Sequence, residues 1–161
     1  MTRALLVASA VLLASLFADL AAGDDEVFSG PQVGEKLTGF TMRGVLGDLD
    51  GKEIDLIEKA DGKPVVLVFM HKLTRPSAAV ARAVLNYSSK FGEQGMVSGL
   101  VFLSDDETAT KAQIKRAAHA LSKVPVGISI DGGEGPGAYG LNRKVTLTIL
   151  EIGRASCRER V

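Results

Sequence analysis

An α/β fold with a mixed central sheet follows from three observations along the 161 residues. Pro64–Met70 is an unbroken run of β-branched and apolar residues, as a strand covered on both faces requires. Two segments of helical spacing, Arg75–Phe91 and Glu107–Leu121, alternate with strand-like runs at Val97–Leu103 and Val126–Ile130. Upstream, the turn-forming cluster Gly47–Gly51 joins two short extended segments into a hairpin. With 46% apolar residues in a chain of this length, one ordinary core is expected.

Taken in order, residues 23–38 are an irregular lead-in of Gly, Pro and polar residues. A first strand is expected over Gly39–Val45, returning at Glu53–Leu56. After the central strand, Thr74 can cap a helix whose first turn suits Pro76. Its residues Val80, Val84, Tyr87 and Phe91 are expected to lie on the sheet. For the second helix, Ser104 and Glu107 form a candidate capping box, and Ile114, Ala117, Ala118 and Leu121 the inward stripe. Asp131–Gly137 is a loop, and Val145–Leu150 the last strand. The order β-β-β-α-β-α-β-β implies right-handed crossovers between the parallel members.

Residues 1–22 have the pattern of a secretory signal peptide. A basic start at Met1–Arg3 precedes Ala4–Ala18, apolar but for Ser9 and Ser15 and shorter than the roughly 20 residues a spanning helix needs. Cleavage is expected after Ala22 or Gly23, giving an exported chain, periplasmic or extracellular, with no stable membrane span. At the other end, residues 152–161 match the translation of a common short-read sequencing adapter, with Glu151 at the junction, and are set outside the fold. The one cysteine, Cys157, falls there, so residues 23–151 contain no cysteine and can build neither a disulfide framework nor a cysteine metal site. That portion carries 15 basic and 17 acidic residues, a net charge of about −2. No basic run exceeds two residues, which argues against a nucleic-acid partner.

Four segments, Pro31–Phe40, Gly62–Phe69, Val101–Asp105 and Ala138–Ile149, carry a resemblance that spans nearly all of the mature chain, with the domain itself expected over residues 39–151. In order and spacing the chain resembles the redoxin branch of the thioredoxin-like superfamily, the group of AhpC/TSA (alkyl hydroperoxide reductase/thiol-specific antioxidant) domains and exported thiol oxidoreductases. The resemblance implies a thioredoxin-like three-layer α/β/α sandwich with a mixed central sheet, here truncated before its last strand and helix. An exposed sheet edge and an uncovered apolar face are then expected, and with them a tendency to aggregate.

The resemblance further implies a Cys-X-X-Cys at the start of the helix after the central strand, where helix amides stabilise a thiolate. Counting from Phe69, those cysteine positions hold Thr74 and Ser77, enclosing Arg75 and Pro76. A hydroxyl is far harder to ionise than a thiol and forms no disulfide. The peroxidase pattern Thr-X-X-Cys would put Ser77 at the peroxide-attacking position, but an alcohol cannot pass through a sulfenic acid, and the register is one residue short. The family's cis-proline position, after Tyr139–Leu141, holds Val145. A cis bond before a non-proline residue costs about 2.5–4 kcal/mol, so a trans bond is expected there. The resemblance therefore implies a degenerate site without a cofactor, in a non-catalytic binding or scaffold module whose partner is a protein or a small anionic ligand. The alternative is a thiol-dependent oxidoreductase or peroxidase with an atypical site, borrowing thiols from a partner or using His71 and Arg75.

The helix start suits an anion, with Arg75, Thr74 and His71 as its candidate contacts. His119 reads as surface or half-buried. An EF-hand at Leu46–Ile57 fails because Leu46 and Ile57 would occupy its first and twelfth ligand positions. Gly132–Gly137 lacks a nucleotide-binding fingerprint and reads as a flexible turn. Asp105, Asp106 and Glu107 suit a helix start through the dipole alone. Ser77, His71 and an acid do not make a credible triad, because no nucleophile elbow surrounds the serine.

Overall fold

The computed structural model describes residues 27–35, 37–121 and 124–153. The expected signal peptide over 1–22 and the segment 154–161, with Cys157, lie outside the described residues.

A single sheet runs in the order β2-β1-β5-β4-β3-β6. Its strands are β1 (Met42–Gly44), β2 (Glu53–Ile54), β3 (Val65–Met70), β4 (Val97–Phe102), β5 (Val126–Ser129) and β6 (Leu147–Ile152). β3, β4 and β5 are parallel, while β1 runs antiparallel to β2 and β5, and β6 antiparallel to β3. The sheet is mixed, as expected. Every residue of β3 is buried, and the period of two sends Val65, Leu67 and Phe69 to one face and Val68 and Met70 to the other.

The second face carries the two longest helices, α2 (Arg75–Ser88) and α3 (Glu107–Arg116), and the short α4 (Ala118–Leu121), packed through Ala81, Leu85, Ile114 and Leu121. β3, β4 and β5 step across the sheet in one direction, so crossovers of one hand place both connections on the same side. The first face is covered by α1 (Leu56–Ala60) and by irregular chain around Phe40, Tyr139 and Leu141.

Sequence and structure differ at several elements. The return strand stops at Ile54 because the Asp55 carboxylate accepts the Ile57 and Glu58 amides and starts α1, whose Leu56 and Ala60 are buried at i, i+4 spacing. The first strand shortens to Met42–Gly44. The long second helix breaks at Ala117 into α3 and α4. Its cap is Asp106, which accepts the Ala109 amide, so Ser104 and Glu107 form no capping box: the Ser104 hydroxyl bonds the Asp106 backbone and Thr110, and Glu107 pairs with Arg43.

On α2 the inward stripe is Ser77, Ala81, Leu85 and Ser88. Val80 and Tyr87 are exposed, while Val84 and Phe91 are partly covered. Small residues let the helix lie close to the sheet, and the buried hydroxyl of Ser88 is satisfied by the Ser98 hydroxyl at 2.9 Å. The larger side chains rotate to the flank above β6. That last strand lies two residues later than expected, through Glu151 to Ile152, which faces Val65 and is 8% exposed.

Candidate functional site

β3 delivers the chain at Met70 to the carboxyl end of the sheet, and His71–Leu73 lead to the cap of α2. Thr74 is extended; its hydroxyl accepts the Ser77 amide at 3.2 Å, and the Ser77 hydroxyl accepts the Thr74 amide at 2.8 Å. This reciprocal box satisfies both ends of the turn. Ser77 is 5% exposed and donates to the Lys72 carbonyl at 2.8 Å, while the Thr74 and Ser77 oxygens stand 3.0 Å apart. The Ser77 proton is held by backbone, with no base beside it to activate the hydroxyl. Ser77→Ala removes this box, and urea unfolding is expected to register a loss of about 1–2 kcal/mol.

Amide accounting limits what the helix start can hold. Pro76 has no N–H, the Ser77 amide is taken by Thr74, and the Ala78 amide bonds the Thr74 carbonyl. One amide, that of Arg75, is left beside the exposed Arg75 side chain.

The Thr146 carbonyl accepts the His71 amide at 3.1 Å, so Val145 arrives at this same end of the sheet. No peptide bond among the described residues is cis. The structure thus brings Val145 to the chain that leads from β3 into α2, although Ser77 and Val145 are 68 residues apart in sequence.

His71 turns elsewhere. It lines a polar hollow with Lys72, Ser104, Asp105, Gly133 and Arg143, a group that contains neither Thr74 nor Arg75. Its ring nitrogens are shielded from solvent and make no hydrogen bond. Burial pushes the imidazole below its ordinary range and the Arg143 charge adds to this; the nearby Val145 and Gly133 backbone and Glu134 oppose it. A depressed histidine stabilises the fold fully above its unfolded value of about 6.5, and that contribution is lost as pH falls towards the folded value. Thermal unfolding should therefore show a melting temperature that drops between about pH 7 and 5, and the drop should shrink in His71→Asn.

Asp105 does more than complement a helix dipole, and Gly132–Gly137 is a pinned loop. Asp105 receives Arg143 in a bidentate pair at 2.9 and 3.2 Å and accepts the Gly133 amide at 2.8 Å, and Arg143 also bonds Glu134. Arg143 holds the Asp105 carboxyl below the usual carboxylate range, with the Gly133 amide assisting. The loop contains two 3₁₀ turns, Gly132–Glu134 and Gly137–Tyr139, pinned by this cluster and by the buried Tyr139, whose hydroxyl donates to the Thr38 carbonyl at 2.8 Å. Sequence reading missed the cluster because its members lie far apart in sequence and match no motif. His119 is exposed. Among the described residues no His, Cys, Asp or Glu group could hold a metal ion, and no helix is long and apolar enough to cross a membrane.

No protein-family model matches the sequence, and no curated protein matches it. Solved structures do. A hypothetical protein from Sinorhizobium meliloti is similar with TM-score 0.60 and 15% identity, over 80% of this chain and 69% of that one. A protein assigned as thiol:disulfide interchange protein DsbE from Chlorobium tepidum follows at TM-score 0.56 and 20% identity, over 80% of each chain. A thiol:disulfide interchange protein from Bacteroides sp. has TM-score 0.52 and 17% identity, over 75% of this chain and 78% of its own. At these identities the likeness is one of fold. The fold is thioredoxin-like, an α/β architecture with a mixed six-stranded sheet.

Proposed function

We propose that this is an exported, redoxin-type thioredoxin-like domain that binds rather than catalyses, a binding or scaffold module of an envelope. One observation carries the reading. Where the fold would present a thiol pair, the chain has two hydroxyls, one of them buried and locked into the cap of α2. Exposed Lys72, Arg75 and Lys144 lie close in sequence to this end of the sheet, which favours a small anionic ligand or an acidic protein segment as partner. The segment 1–22 supports export.

Insulin-reduction and peroxide-consumption assays on the full chain test it. The expected rate is that of the buffer blank. Turnover that survives Thr74→Ala, Ser77→Ala and Cys157→Ala would overturn both the site assignment and the non-catalytic reading. A second reading, an enzyme working through His71 and Arg75, draws on the unpaired ring nitrogens of His71. The hollow that His71 lines excludes Arg75, which weighs against the two acting on one substrate.

A further inference from the structure

The solvent side of α2 is a cationic ridge, and we propose that it docks an extended acidic segment of a partner protein. This assignment rests on the binding reading above and names the surface involved and the chemistry of what it holds.

Charge is segregated along the chain. Basic and acidic residues balance overall at 19 each, yet residues 62–92 contain no carboxylate and five cations, Lys63, Lys72, Arg75, Arg82 and Lys90. No two of the five are adjacent, so it is the helix that assembles them. Arg75 and Arg82 are seven residues apart and lie within about 20° of one line along α2. Asn86 and Lys90 continue that line at steps of four, Lys90 on the 3₁₀ extension Ser89–Gln94. Lys72 precedes the helix at one end. At the other, Lys63 returns beside the extension, its Cδ 3.3 Å from where a Cβ on Gly95 would stand.

All five side chains are exposed, and none makes an ion pair among the described residues. Lys90 lies 6.0 Å over the Tyr87 ring. The neighbouring helix is different. On α3, Lys111 and Lys115 both pair with Asp50, Glu107 pairs with Arg43, and Asp106 caps the helix through the Ala109 amide. Neither acid of α3 pairs with α2, whose cations remain without a counter-charge.

The ridge has the shape and spacing for a chain. Ala78 and Ala79, three and four residues from Arg75, floor the interval to Arg82 with small side chains that let a backbone approach. The half-buried Asn86 makes no side-chain hydrogen bond among the described residues, and its amide can both donate to and accept from a peptide group. The rise along the helix sets Arg82 about 11 Å from Arg75, and Lys90 about 13 Å further on. An extended chain advances about 3.3 Å per residue, so carboxylates at every third or fourth position meet successive cations. The line carries no large apolar side chain to enter a bilayer, which favours a protein segment over an anionic lipid surface. It is also separate from the groove that Val84, Tyr87 and Phe91 line with Ile149 on the β6 side of α2, to which no ridge residue belongs.

Fluorescence anisotropy on the full chain tests this, with a labelled peptide of serine and glycine carrying glutamate at every third or fourth position. The expected dissociation constant is roughly 10–100 µM in about 20 mM salt, rising at least about 5-fold in about 150 mM salt. The same peptide with glutamine for glutamate should not bind. Arg82→Gln combined with Lys90→Gln should weaken binding at least about 10-fold, and Ala79→Glu, which sets a like charge on the floor, by a similar factor. Lys52→Gln combined with Lys59→Gln removes as much charge from other elements and should change binding less than about 2-fold. Circular dichroism confirms that each variant folds. Equal weakening by the two double variants overturns the ridge in favour of net charge, and the absence of saturable binding overturns it outright. Binding to phosphatidylserine vesicles that is lost in the Arg82→Gln, Lys90→Gln variant, with no binding of the peptide, would instead assign the ridge to a membrane. Failure here leaves the chain's lack of redox chemistry standing, whereas turnover in the insulin assay overturns that reading without moving the peptide titration.

Discussion

Replacing Thr74 and Ser77 together by cysteine, in a chain whose Cys157 is changed to alanine, is expected to create insulin-reducing turnover at least about 100-fold above the native chain. The geometry for a thiol pair is in place: the two side-chain oxygens are 3.0 Å apart across the first turn of a 14-residue helix. Thr74 is exposed and Ser77 buried, so a cysteine at 74 becomes the attacking group and one at 77 the resolving group. The helix terminus and Arg75 would stabilise the thiolate at 74. That thiolate attacks a substrate disulfide, forming a mixed disulfide and releasing one substrate thiol. The thiolate at 77 then attacks the sulfur at 74, releasing the second substrate thiol and leaving the protein oxidised for a dithiol reductant to restore. The single Thr74→Cys variant should stop at the mixed disulfide. Thiol titration after mild oxidation checks the mapping: two free thiols persisting in the double variant would show that these positions do not form the pair.

Phe69→Ala is expected to cost about 3–5 kcal/mol, a large part of the 5–15 kcal/mol by which an ordinary domain is stable. Phe69 is fully buried in β3, and its ring lies 5.4 Å from Phe40 and 5.5 Å from Tyr139, which are themselves 5.5 Å apart. This triangle joins three distant parts of the chain: the segment just before β1, the central strand and the pinned glycine loop. Truncating one ring leaves a cavity that the other two cannot fill without moving both outer segments. Tyr87→Ala, which removes a larger but exposed ring, should cost within about 0.5 kcal/mol. Urea unfolding of the two variants side by side measures the contrast, and equal losses would contradict this assignment of the core.

Much of the fold was legible because the strongest signals are local. The Pro64–Met70 run reads as a strand buried on both faces, and the Thr74 cap with Pro76 in the first turn places the start of α2 at Arg75; its end, expected at Phe91, falls at Ser88. α1 is also written in the sequence, as Asp55 followed by Glu58, but the apolar residues around it read as extended and mask it. The inward face of α2 is hidden for a different reason. Spacing identifies a helix, but it does not say which of two stripes meets the sheet when one is large and apolar and the other small with buried hydroxyls. Burial of Ser77 and Ser88 became favourable only once Lys72 and Ser98 were in place to satisfy them.

By itself, then, the sequence determined the α/β class, the order of the main elements, and the residue types at the Thr74–Ser77 turn and at Val145. These depend on periodicity, capping and element chemistry, all set within a few residues. Only the tertiary structure decided that the Ser77 hydroxyl is locked in the cap, that His71 faces Asp105 and Arg143 and not Arg75, and that the small residues of α2 meet the sheet. Each of these depends on contacts between segments distant along the chain, and long-range proximity leaves no local pattern to read.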